Sequence, residues 1–257
     1  MCPMKLPKKL MKEPLVDALF DVRFLSTIPA VSGILPGMLL SALKPSWPEP
    51  LQIERLQAAE LPSQMRINDP FLKYQPLLKL SGTSFMILVG DWNVTVGCKL
   101  PYAGWGAFKP KIIEVMSALK SSGFVKELER YSMKYVDIVQ QKNLVDQIQR
   151  ANMEIRIGSH KLAAETFDVR VEIKQGEFTN LLHLAAQAQV TLPGGETRKG
   201  LLIDVDTVVD HKTADLEQFA RELPQRLEGI HTENKTRVFE CLTPEAIKEL
   251  GPVYDSE

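Results

Sequence analysis

The sequence predicts an α+β protein of two structurally similar halves, each a mostly antiparallel sheet with a long helix packed on one face. Three observations predict it. Apolar and polar residues alternate in many short runs, as in strands with one wet face, which favours antiparallel sheets over a parallel doubly wound core. Two longer stretches repeat apolar residues at helical spacing. The succession strand, helix, strands, helix occurs once in residues 14–123 and again in residues 124–257, behind a basic arm of residues 1–13. The halves are not visibly alike in sequence, so the duplication rests on element order.

The arm carries Lys5, Lys8, Lys9 and Lys12 among prolines and reads as a solvated tail. Leu15 to Leu25 is the first strand, with Val16, Ala18, Phe20, Val22 and Phe24 against Asp17, Asp21 and Arg23. Val31 to Lys44 reads as a buried helix, although Pro36 removes a hydrogen bond. Pro45, Pro48 and Pro50 mark a loop. Strands are expected at about 52–57, 63–68, 77–90 and 92–99, the last two joined by a tight turn at Gly90-Asp91. Trp105 to Ser121 is an amphipathic helix with Phe108, Ile112, Val115, Met116 and Leu119 in its stripe, closed by Gly123.

Phe124 to Gln140 is extended again, a short helical turn covers Asn143 to Arg150, and strands follow at about 151–157, 164–175, 178–192 and 198–209. Gly194-Gly195 reads as a hairpin turn. Thr213 to Gly229 is a helix that His231 to Leu242 continues with a kink, and Thr243-Pro244 restarts a short helix with threonine as cap and proline at its first position.

Composition bounds the function classes. With 44% hydrophobic and 25% charged residues the chain is globular, not disordered or fibrous. Thirty-one basic against thirty-two acidic side chains give a net charge of −1, which disfavours a nucleic-acid coat. Cys2, Cys98 and Cys241 form no C-x-x-C pair and suit a reducing cytoplasm. The most apolar window, Val31 to Leu43, is shorter than the ~20 residues a membrane helix needs, so no membrane association is expected. No phosphate-cradling glycine motif occurs, and no cofactor is implied.

Three segments carry a family resemblance. Pro14-Leu15-Val16-Asp17-Ala18-Leu19-Phe20-Asp21-Val22-Arg23-Phe24 resembles the opening strand of a sporadically distributed, uncharacterised prokaryotic family of about this length. Gly104-Trp105-Gly106-Ala107-Phe108 through Gly123, with Glu129-Arg130-Tyr131-Ser132-Met133-Lys134-Tyr135-Val136-Asp137, is similar to its central helix and strand. Arg237-Val238-Phe239-Glu240-Cys241-Leu242-Thr243 resembles its C-terminal junction. Where that family has Arg-Tyr-Ile-Asn, this chain has Lys134-Tyr135-Val136-Asp137, so no role tied to that arginine or asparagine carries over. The resemblance implies no activity; the patchy spread of the family suits an accessory or defence role.

Candidate sites follow from charge on strands. Asp204 and Asp206, two apart, share a face, with Asp210 and His211 just past the strand end; such carboxylates hold a hard cation or simply wet the outer face. His231 falls in register with Leu227, Val238 and Cys241, as a base or as a packed core histidine. His183 reads as solvated, and His160 and His211 as turn residues. Trp105 and Phe108 are structural. Asp17, Asp21 and Arg23 on the first strand, with Arg130, Lys134 and Tyr135 on its counterpart in the second half, define a polar sheet face or a groove between the halves.

The expected function is therefore a cytoplasmic binding or regulatory protein that engages a protein partner through that surface. The alternatives are a metal-assisted hydrolase using Asp204, Asp206 and His231, and weak nucleic-acid binding through the basic arm with Arg130 and Lys134.

Overall fold

The computed structural model describes residues 5–47 and 50–254. Cys2 and Pro48 of the sequence reading lie outside them. In chain order the elements are β1 (Lys9–Leu10), β2 (Leu15–Ser26), α1 (Leu35–Leu43), β3 (Gln52–Arg55), α2 (Ser63–Asn68), α3 (Pro70–Lys73), β4 (Leu78–Ser81), β5 (Phe85–Val89), β6 (Asn93–Cys98) and α4 (Trp105–Ser121). There follow β7 (Val125–Gln140), α5 (Leu144–Arg150), β8 (Arg156–Ile157), β9 (His160–Lys161), β10 (Asp168–Gln175), β11 (Phe178–Thr191), β12 (Thr197–Thr213), α6 (Leu216–Glu240), α7 (Pro244–Glu249) and β13 (Pro252–Val253).

The protein is α+β, and its main sheet runs β10-β11-β12-β7-β2-β6-β5-β4-β3. The β3–β4, β4–β5, β5–β6, β2–β6 and β10–β11 ladders are antiparallel. The chain divides into two compact units. The first holds the chain up to Asp17, Lys134–Thr207 and everything from Ile230; the second holds Ala18–Met133 and Val208–Gly229. β2, β7, β12 and α6 thus contribute residues to both.

In the second unit, Ala18, Phe20, Val22 and Phe24 of β2 are buried, which turns Asp21 and Arg23 to the opposite face of the strand. α4 buries the stripe read from its sequence, and α1 packs on it. Phe108 stacks on Phe85 at 6.2 Å, while Tyr102 and Trp105 meet it edge-on at 6.4 Å. Lys120 reaches Glu217 at 3.0 Å and Lys109 reaches Glu228 at 2.6 Å, so α4 lies beside the first turns of α6.

In the first unit, Leu201, Ile203 and Val205 of β12 join Leu182, Leu184, Val139, Val238, Phe239 and Leu242 in one core. Gly200 is required there: a Cβ would collide with the Val139 carbonyl. Residues 5–12 are no loose tail. Lys9 and Leu10 pair with Val253 and Pro252, and Leu10 is buried in the same core.

Several expected elements differ. Residues 63–68 are helix, not strand. Their alternation misleads because Met65 and Ile67 are exposed while Arg66 is buried, the reverse of a half-buried strand. The run 77–90 is two strands, broken where the Gly82 amide donates to the Phe85 carbonyl. Of 151–157 only Arg156–Ile157 is strand, while Ala151 bridges to Leu242. β12 runs on to Thr213, so Asp210 and His211 lie within it, and His160 lies in β9. α6 is one continuous helix across Gly229 and His231. The turn glycines behave as expected: Gly123 has φ 73°, and Gly194 and Gly195 have φ 108° and 88° between β11 and β12. Thr243 caps α7 by accepting from the Ala246 amide.

Candidate functional site

A polar cluster of the second unit grows from the β2–β6 ladder. Register sets Asp21 opposite Thr95 and Arg23 opposite Asn93, so all four side chains share one face. Asp21 Oδ1 accepts from Thr95 Oγ1 at 2.6 Å and from Asn93 Nδ2 at 3.1 Å, which fixes the carboxylate. Arg23 Nε lies 3.6 Å from Asp21 Oδ2, and the guanidinium sits 3.9 Å above the centre of the Tyr74 ring. A planar cation over an aromatic face is held in place without giving up its donors.

The segment that supplies Tyr74 adds more. Lys73 Nζ lies 4.9 Å from the Tyr74 ring centre and 5.8 Å from that of Trp92. Tyr74 Oη donates to Glu129 at 3.5 Å. Just before it Phe71 is 87% exposed, with Met65 and Ile67 bare on α2. Arg23 Nε, Asn93 Oδ1 and Arg130 Nε are buried with no hydrogen-bond partner among the described residues. Such atoms carry a desolvation penalty unless something satisfies them.

Behind the turn that precedes β6, Asp91 is buried. It accepts from the Ser32 hydroxyl at 2.6 Å and meets Arg66 Nη2 at 3.2 Å, while Arg66 Nη1 donates to the Leu61 carbonyl at 2.7 Å. This pair anchors α2 and hence the Phe71–Tyr74 segment.

The first unit uses its expected site residues differently. Lys134 and Asp204 meet at 2.9 Å, so a candidate binding residue neutralises a candidate metal ligand. Asp206 is half-buried on the same side of β12. Among the described residues no group of three or more His, Cys, Asp or Glu side chains is placed to hold a metal ion. Tyr135 Oη and His231 Nδ1 are hydrogen-bonded at 3.0 Å with the rings edge-on at 5.7 Å. Asp17 is half-buried on β2. His183 bonds Asp168 at 3.1 Å and His160 bonds Glu165 at 2.9 Å.

Sequence reading missed the polar interior of this unit. Thr207 Oγ1 donates to Asn180 Oδ1 at 2.8 Å, Asn234 Nδ2 donates to the Val205 carbonyl at 2.9 Å, and Asn180 Nδ2 donates to Glu233 at 2.8 Å. Asp137 is buried, and desolvation, with Glu13 and Asp204 adding repulsion, pushes its carboxyl up to about 8. Desolvation likewise raises Glu13. Burial pushes the Cys241 thiol up to about 11, with Glu240 adding to it, and raises Cys98, so neither is a thiolate near neutrality.

No helix among the described residues is long and apolar enough to cross a membrane. No protein-family model matches the chain, and no curated protein matches its sequence.

Proposed function

We propose that this is a non-enzymatic binding or regulatory protein of the cytoplasm, which engages a protein partner through the polar sheet face of its second unit. The observation that carries the reading is Arg23, held over Tyr74 beside a carboxylate that Asn93 and Thr95 fix in place. Arginine and aromatic anchors next to exposed apolar side chains are the composition of protein interfaces. Phe71, Met65 and Ile67 supply the apolar part on the segment that carries Tyr74. A partner with an acidic side chain flanked by apolar ones fits this chemistry. Unpaired, buried thiols at Cys98 and Cys241 accord with a reducing compartment.

The duplication expected from sequence belongs to the same proposal. Outward from the adjacent strands β2 and β7, the order is β6, β5, β4 on one side and β12, β11, β10 on the other. Each set of strands is followed by a long helix, α4 or α6. Equal succession and equal strand order support descent of both halves from one ancestral unit.

Native pull-down from the source cell with mass spectrometry tests the function, comparing wild type with Arg23→Ala and Asp204→Asn. A stoichiometric protein retained by wild type and Asp204→Asn but lost from Arg23→Ala is the expected result. A metal- or nucleotide-dependent turnover abolished by Asp204→Asn in a folded protein overturns it in favour of the hydrolase alternative.

A further inference from the structure

β10 ends the sheet order, with β11 on one side and no strand of the described residues on the other. Its peptide groups can be assigned a direction. The β10–β11 hairpin turns on Gly176 and Glu177, with Gln175 opposite Phe178, and the Ala186 amide donates to the Phe167 carbonyl at 3.0 Å. Residues flanking a two-residue hairpin loop form a hydrogen-bonded pair, and such pairs alternate along the ladder. The odd-numbered residues of β10 therefore bond β11. Asp168, Arg170, Glu172 and Lys174 turn their amides and carbonyls to the open edge.

The same four residues are exposed and alternate in sign, and the residues between them are Val169, Val171 and Ile173. Val169 and Ile173 pack against the core of the first unit, whereas Val171 is 45% exposed. The pattern is self-complementary. When a second β10 is laid antiparallel with Val171 opposite Val171, Asp168 faces Lys174, Arg170 faces Glu172 and Val169 faces Ile173. A shift of two residues in pairing sum either way sets Arg170 against Arg170 or Glu172 against Glu172. A parallel pairing in register sets every charge against its like. Only the antiparallel two-fold arrangement satisfies all four charges, and it places the outward peptide groups in hydrogen-bonded pairs.

We propose that β10 is a homodimerisation edge, with a second copy of this chain as its occupant, joining two sheets across a two-fold axis. Within one copy Arg170 lies 3.6 Å from Asp168, which also bonds His183 at 3.1 Å, and Lys174 lies 3.5 Å from Glu172, a long and solvated contact. Association replaces these by directly opposed pairs and covers Val171. The other end of the sheet, β3, is four exposed residues, Gln-Ile-Glu-Arg, and lacks this symmetry. The proposal stands on β10 alone and is independent of the partner surface on the second unit.

Sedimentation equilibrium of the full chain over about 1–200 μM tests it, since one strand pair buries less than a standard interface and suits a micromolar dimer. A monomer–dimer equilibrium that weakens about tenfold or more between low and high salt is expected. Arg170→Glu sets glutamates opposite each other and should leave only monomer. The double variant Arg170→Glu with Glu172→Arg restores opposite charges and should restore the dimer. A monomer at every concentration overturns the proposal, leaving the charges as protection against aggregation. A dimer that Arg170→Glu does not weaken, or that the double variant does not restore, overturns it as well.

Discussion

In the second unit Arg66 and Asp91 hold each other at 3.2 Å behind the β5–β6 turn, whereas the buried polar side chains that tie α6 to the sheet in the first unit, Asn180, Thr207 and Asn234, are neutral, with Glu233 accepting from Asn180. Both networks tie a helix to the sheet: α2 through Arg66, and α6 through Asn234. They differ in what remains when one member is lost. A truncated ion pair strands a full charge in low dielectric, while a truncated neutral network strands only a dipole. Asp137 shows a third arrangement, a buried acid that avoids charge by keeping its proton. The contrast makes the second unit the more brittle, even though both interiors are polar.

The largest expected effect follows from that difference. Asp91→Ala should lower unfolding stability by ~3–5 kcal/mol in urea, because Arg66 is left buried and uncompensated. Replacing Arg66 by Met in the same chain should recover part of the loss. Asn234→Ala, in the neutral network of the first unit, should cost ~1–3 kcal/mol. If Asn234→Ala proves the more costly, the comparison is wrong.

Asp137 gives the pH test. Its proton is held in the folded state up to about 8, against 3.8 in the unfolded chain. Between those values folding takes up a proton, so this group's contribution is complete at acid pH and is lost as pH rises towards 8. Asp137→Asn should flatten that decline and stabilise the protein by ~1–3 kcal/mol at pH 8. Glu13, raised in the same direction, leaves a residual slope. A slope unchanged in Asp137→Asn would mean the acid ionises without penalty.

The smallest effect is the control. Asp69 caps α3 in the second unit and Thr243 caps α7 in the first. Both caps lie outside the buried networks, so Asp69→Ala and Thr243→Ala should each cost ~1 kcal/mol. Unequal losses would show that the units differ in overall cooperativity and not only in buried chemistry.

Legibility in the sequence followed the range of the interactions. Leu15 to Leu25, Trp105 to Ser121 and the Thr243 cap were readable because period and capping are set by near neighbours. Residues 63–68 were not, since the buried charge of Arg66 is met by Asp91, which lies 25 positions on. Lys134 and Asp204 were each singled out, for different roles. That they meet depends on β7 lying beside β12, a matter of strand order and not of local pattern. Asp21 and Arg23 were found from alternation alone. Asn93, Thr95 and Tyr74, which hold them, carry no signal without the β2–β6 register.

The strap of β1 on β13 has a consequence for biosynthesis. Leu10 enters its core against a chain segment that includes Leu250, and the ladder that holds it needs Pro252 and Val253. The second unit, for its part, needs Val208–Gly229. A nascent chain that has emerged only as far as Met133 therefore contains neither unit whole, and its early strands wait with open edges for partners still to be translated. The chain's own order of synthesis therefore leaves those edges uncovered until the later segments emerge.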